Sequence, residues 1–137
     1  MNVIQPATLH DPVPFGYSHV VDSGTGLVAV AGQYASGPDG QVAVTGFTDQ
    51  VELAFDHLRI ALRAVGLDLR HVVRLGTHVV DHDSDRLAVV ARHVNTLWHG
   101  RPPAQTLVGV ASLAMPGMLF EVDALAVRGP NETRPTE

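Results

Sequence analysis

The chain of 137 residues predicts an α+β domain in which two helices cover one face of a mixed β-sheet. Three observations predict it. Two stretches carry apolar stripes at helical spacing. The stretch Met118–Val127 instead alternates every second residue, placing Phe120, Val122, Ala124 and Ala126 on one face and Leu119, Glu121, Asp123, Leu125 and Val127 on the other. The order along the chain is strands, helix, strand, helix, then two strands, which suits a layered α+β arrangement.

The elements follow in sequence. His19–Asp22 and Leu27–Ala31 read as short strands joined by the hairpin turn Ser23-Gly24-Thr25-Gly26, and Gly37-Pro38-Asp39-Gly40 is a second turn. A helix is expected from Thr48 as N-cap, with Asp49 and Glu52 favourable in its first turn. Its stripe is Val51, Ala54, Leu58, Ala61, Leu62 and Val65, and Gly66 ends it. Val72–Val80 is a long strand. The second helix spans Asp85–Trp98, striped by Leu87, Val90, Ala91, Val94, Leu97 and Trp98, and stopped by Gly100 and Pro102. Gln105–Ala111 and Met118–Val127 are expected as an antiparallel pair around a Met115-Pro116-Gly117 turn. Residues 1–128 form one domain in this reading, and 129–137, polar and proline-containing, a flexible tail.

Two helices cover one face only. The opposite face still carries Leu119, Leu125 and Val127, so another copy of the chain is the simplest cover.

Composition limits the chemistry. The formal net charge is −5, with no basic cluster of the kind that neutralises phosphates, so nucleic acid is not an expected partner. There is no cysteine, which excludes disulfides, thiolate nucleophiles and zinc–cysteine sites. All nine basic residues are arginine, so no side chain can form a Schiff base as lysine does. The N-terminus lacks a signal-peptide pattern and no apolar run reaches the ~20 residues of a membrane helix. No membrane is expected, and the cytoplasm is the expected location.

Several patterns are set aside on geometry. Asp81, Asp83 and Asp85 open like a calcium loop, but Arg86 and Arg92 stand where glycine and glutamate belong, so the run reads as a helix N-terminus. His78 and His82 lie about 13 Å apart on an extended segment, too far to share a metal. No phosphate loop, dinucleotide fingerprint or nucleophile elbow is present. No metal and no cofactor are expected.

The segment Pro103-Ala104-Gln105-Thr106, with Val108, Val110 and Leu113, then Phe120-Glu121-Val122-Asp123-Ala124-Leu125-Ala126, resembles the C-terminal signature of the Rid/YjgF family. Pro14-Phe15-Gly16-Tyr17-Ser18-His19, Ala31-Gly32-Gln33 and Ala64-Val65-Gly66 extend the resemblance, which spans roughly Pro14–Arg128. It implies a chorismate-mutase-like fold, a homotrimer, and small-molecule clefts between neighbouring subunits.

By family position, Tyr17 would line the cleft and Glu121 would orient water, the two candidate catalytic residues. Gln105, Gly32, Gln33 and Ala31 are the candidate substrate-binding residues. Gln105 stands where the family's hallmark arginine clamps a substrate carboxylate, and it is expected near Glu121 and a neighbour's residues. Guanidinium holds a carboxylate through two parallel charged hydrogen bonds, whereas glutamine is neutral. Each such bond is worth roughly 1.5–3 kcal/mol, so carboxylate binding would weaken about 100-fold or more. The resemblance therefore implies a divergent member acting on a small imine, enamine or related carbonyl compound, by hydrolysis, tautomerisation or cyclisation. A non-catalytic trimeric ligand-binding protein is the alternative.

Overall fold

A computed structural model describes residues 1–136. Six strands and two helices follow one another as β1 (Asn2–Ile4), β2 (Val20–Asp22), β3 (Leu27–Gln33), α1 (Phe47–Arg63), β4 (Val72–Val80), α2 (Ser84–Leu97), β5 (Ala104–Val110) and β6 (Phe120–Val127). The strands form one mixed sheet in the order β1-β2-β3-β6-β4-β5. All neighbours are antiparallel except β4 and β5, which the α2 crossover makes parallel.

That topology corrects one expectation. β5 and β6 do not pair with each other, because β4 lies between them and bonds both. A hairpin reading fails here because α2 returns the chain parallel to β4, at the sheet edge, and residues 111–119 then carry it across to β4's other side.

The helices cover one face, as expected for this fold class. Val51, Ala54, Phe55, Leu58, Ala61 and Leu62 of α1 are buried against the alternating inward residues Phe120, Val122, Ala124 and Ala126. The Phe55 ring packs on Phe120 at 5.8 Å and on Trp98 at 6.2 Å between centroids. α1 is capped two residues earlier than its sequence signals, with Gly46 rather than Thr48 at the cap. Phe47 is thereby drawn into the first turn, where it meets Phe120 and the Arg86 guanidinium. α2 starts on Asp83, whose carboxylate accepts from the Arg86 amide at 2.8 Å. Leu87 stays 49% exposed, so the buried stripe of α2 is narrower than its periodicity suggests.

Gln50 fixes the segment before β6. It is fully buried on α1, donates to the Val44 and Gly117 carbonyls at 3.1 and 2.9 Å, and accepts from the Leu119 amide at 2.8 Å. Three backbone groups of irregular chain thus find one partner. At the far end of the sheet, Arg128 donates to Asp22 at 3.1 Å and to the Val65 carbonyl at 2.7 Å. The segment beyond Arg128 turns back on this end: Arg134 donates to Asp22 at 3.1 Å, and Glu132 lies 2.9 Å from His71 Nε2.

Candidate functional site

The outer face of β6 carries its two carboxylates over glycines. β3 is irregular against β6 between Val30 and Gln33, and this bulge turns Gly32 toward the side chain of Glu121. A Cβ on Gly32 would stand 2.4 Å from Glu121 Cδ and Oε1, so only glycine leaves room for the carboxylate. Gly76 on β4 does the same for Asp123, whose Oδ2 would be 2.6 Å from an added Cβ. His78 pairs with Glu121 across the ladder, and its Nδ1 is 3.9 Å from Asp123 Oδ2.

Glu121 opens onto a pocket of about 250 Å³. Tyr17, Ala31 and Gly32 line it with Glu121, and Phe15, Tyr34, Ala114 and Met115 complete it. Tyr17 is delivered by the 3-10 turn Val13–Phe15 and by Gly16, whose φ of 86° reverses the chain. Burial pushes the Glu121 carboxyl above the ordinary carboxylate range; His78 opposes the shift and Asp123 adds to it. Burial, with Tyr34 and Glu121 nearby, holds the Tyr17 hydroxyl firmly protonated.

Of the residues singled out from the sequence, four meet in this pocket: Tyr17, Ala31, Gly32 and Glu121. Gln33 lies behind it, buried, donating to the Ala31 carbonyl at 3.1 Å and to His19 Nδ1 at 3.2 Å. Gln105 is elsewhere within the chain. It pairs with Leu75, whose other neighbour is Ala124, so Gln105 sits on the helix-side face and Glu121 on the opposite one. Its Oε1 accepts from Thr77 at 2.9 Å, and the residue is exposed on edge strand β5. The expected proximity of Gln105 and Glu121 is therefore absent in a single chain.

Sequence reading missed Tyr34 and three histidines. His10 Nε2 meets the Tyr17 hydroxyl at 2.5 Å, and its Nδ1 meets Ser36 Oγ at 3.1 Å. His57 Nδ1 lies 3.3 Å from the same oxygen, and His19 Nε2 donates to the His10 carbonyl at 2.9 Å. These residues are scattered along the sequence at no ligand-like spacing, and only folding gathers them. A larger groove of about 740 Å³, lined by Arg59, Arg63, Arg70 and Arg101, lies at the helix ends. It contains none of the candidate residues Tyr17, Ala31, Gly32, Gln33, Gln105 and Glu121 and is a separate, arginine-rich surface.

Known proteins agree with this architecture. The family model for endoribonuclease L-PSP matches residues 9–128. A rat protein named 2-iminobutanoate/2-iminopropanoate deaminase is 32% identical over 107 residues, covering 77% of this chain and 76% of its own. Protein DfrA of Myxococcus xanthus is 32% identical over 115 residues, covering 83% and 85%. The Rid protein YyfB of Yersinia pestis superposes with a TM-score of 0.70 at 33% identity, covering 93% of this chain and 98% of its own. Protein YJGH superposes at 0.81 with 28% identity, covering 92% and 95%. With the family match spanning residues 9–128 and the fold shared with these structures, the chain belongs to the Rid/YjgF family, also called endoribonuclease L-PSP.

Proposed function

We propose that this protein hydrolyses small reactive imines to a carbonyl compound and ammonia, in a cleft completed by a second copy of the chain. The meeting of Tyr17 and Glu121 in one pocket carries the reading. A carboxyl raised above its ordinary range by burial suits a general base, and a tyrosine held protonated suits a donor. Water attacks the imine carbon while its proton passes to Glu121. The C=N bond becomes a C–N single bond, and its nitrogen takes up that proton from Glu121, with Tyr17 hydrogen-bonded alongside. Glu121 then takes the proton of the new hydroxyl and passes it to the nitrogen, so the C=O bond forms as the C–N bond breaks and ammonia leaves. The relatives named as imine deaminases support this class of substrate.

Assembly is part of the same reading. The uncovered sheet face presents Leu27, Val108, Leu125 and Val127, each between 38 and 46% exposed. Further copies laid on it would bury these residues, and the Rid resemblance favours three. Because Gln105 and Glu121 occupy opposite faces of one sheet, a shared cleft requires Gln105 to come from a neighbour. A neutral glutamine there favours imines without a free carboxylate.

The test compares a 2-imino acid with its 2-imino amide, both generated in situ. Wild type should prefer the amide by kcat/KM, and Gln105→Arg should shift the preference toward the acid about 100-fold. A wild type that prefers the acid, with a preference indifferent to Gln105→Arg, would overturn the reading. Binding of both compounds without turnover would favour a ligand-binding protein instead.

A further inference from the structure

We propose that His10 is a positioning residue. Together with Ser36 and His57, it forms a directed hydrogen-bond chain that forces the Tyr17 hydroxyl hydrogen into the pocket. The inference rests on the hydrolase reading only for its effect on rate; the direction of the chain follows from its partners.

The chain starts at a group that can only accept. The Tyr34 carbonyl lies 3.0 Å from His57 Nδ1, so that nitrogen carries the proton. Toward Ser36 Oγ, 3.3 Å away, the same N–H can only donate. Ser36 Oγ has one remaining partner among the described residues, His10 Nδ1 at 3.1 Å, and its hydroxyl hydrogen must go there. His10 Nδ1 is then an acceptor, and the proton of the neutral ring lies on Nε2. That N–H points at the Tyr17 oxygen, 2.5 Å away. Tyr17 accepts from His10 and cannot donate back, so its own hydrogen turns into the pocket, where the Tyr34 hydroxyl oxygen beside Glu121 can accept it until substrate arrives.

The surroundings keep the chain in this state. His10 is 5% exposed and Ser36 8%, so water cannot readily substitute for either bond. Burial, with His19 and His57 alongside, holds His10 below the ordinary histidine value and therefore neutral; Asp11 and Asp39 act in the opposite direction. The His10 backbone is fixed as well, its carbonyl taking the Nε2–H of His19, which Gln33 holds from behind. Tyr34 is unavailable as a competing donor because its hydroxyl is committed to the Gly40 carbonyl. A hydroxyl oriented before substrate arrives needs no reorganisation during the reaction.

Nitrogen-15 NMR of histidine-labelled wild-type protein tests the direction without turnover, with the His10 signals identified by their loss in His10→Gln. At neutral pH, His10 should be the Nε2–H tautomer. Ser36→Ala should leave the fold intact, mix the two His10 tautomers, and lower kcat for imine hydrolysis roughly tenfold with KM changed less than about twofold. His10→Gln, whose amide N–H can still donate to Tyr17, should keep most of the activity that His10→Leu loses. An Nδ1–H tautomer or an imidazolium in wild type would overturn the proposal, as would a tautomer unmoved by Ser36→Ala. An inactive wild type with the expected tautomer would contradict the hydrolase reading and leave the chain's direction supported.

Discussion

Glu121 lies directly over Gly32, with 2.4 Å between the carboxyl and the place where any other residue would put its Cβ. The strand bulge, the missing side chain and the acid form one device: β3 gives up a side chain so that a carboxylate can fold down against the sheet beside Tyr17.

Gly32→Ala should therefore act on activity through Glu121. The carboxylate end is flexible and can swing aside, so the variant should fold but lose about 10- to 100-fold in imine hydrolysis, a displaced base contributing little. In a Glu121→Ala background the same substitution should cost nothing further in rate. A double-mutant cycle measures that non-additivity.

Glu121 should also weigh against stability. Its folded-state carboxyl binds a proton more readily than in the unfolded chain, so ionising it above its folded value favours unfolding. Glu121→Gln should raise the Tm at pH 8 and leave it nearly unchanged at pH 4, where the native acid is already protonated. Thermal unfolding at the two pH values checks the sign.

Acid should act at the other end of the sheet in the opposite sense. For Asp22, burial opposes ionisation, but the Gly24 amide, Arg128 and Arg134 outweigh it and hold the carboxyl below its ordinary value. Glu132 is held at about 2 by hydrogen bonds from His71 and the Gly129 amide. Depressed carboxylates lend stability above their unfolded values and lose it as pH falls through their folded ones. Denaturant midpoints should fall steadily below about pH 4, and Asp22→Asn should flatten that slope.

Gln50 holds the pocket wall from behind. Gln50→Leu would leave the Val44 and Gly117 carbonyls and the Leu119 amide without their partner. A loss of roughly 2–3 kcal/mol is expected from urea unfolding, along with faster amide exchange across residues 111–119.

What could be read from the sequence follows from how local each signal is. The alternation that separates Phe120 from Glu121, and the stripe of α1, are periodicities within one element, and both stand in the structure. β1 gave no such signal, being three residues long and mostly exposed. The partner of β5 was not legible either, because strand order depends on where a crossover returns rather than on turn residues. In the site, Tyr17, Gly32 and Glu121 could be found through their family motifs. Their neighbours His10, Ser36 and His57 could not, since residues separated by 26 and 21 positions leave no spacing to recognise. Gln105 shows the same limit: its motif marks it, but only the register shows that it faces away from Glu121 in its own chain.

The most direct measurement is the rate at which wild type and Glu121→Gln remove an imine generated in situ, read as ammonia released. Wild type should accelerate the decay, and a folded Glu121→Gln should lose about 10²- to 10⁴-fold of that acceleration, the usual range for a positioned base. Equal acceleration by the two proteins would contradict the account, because the chemistry would then not pass through the carboxylate that Gly32 makes room for.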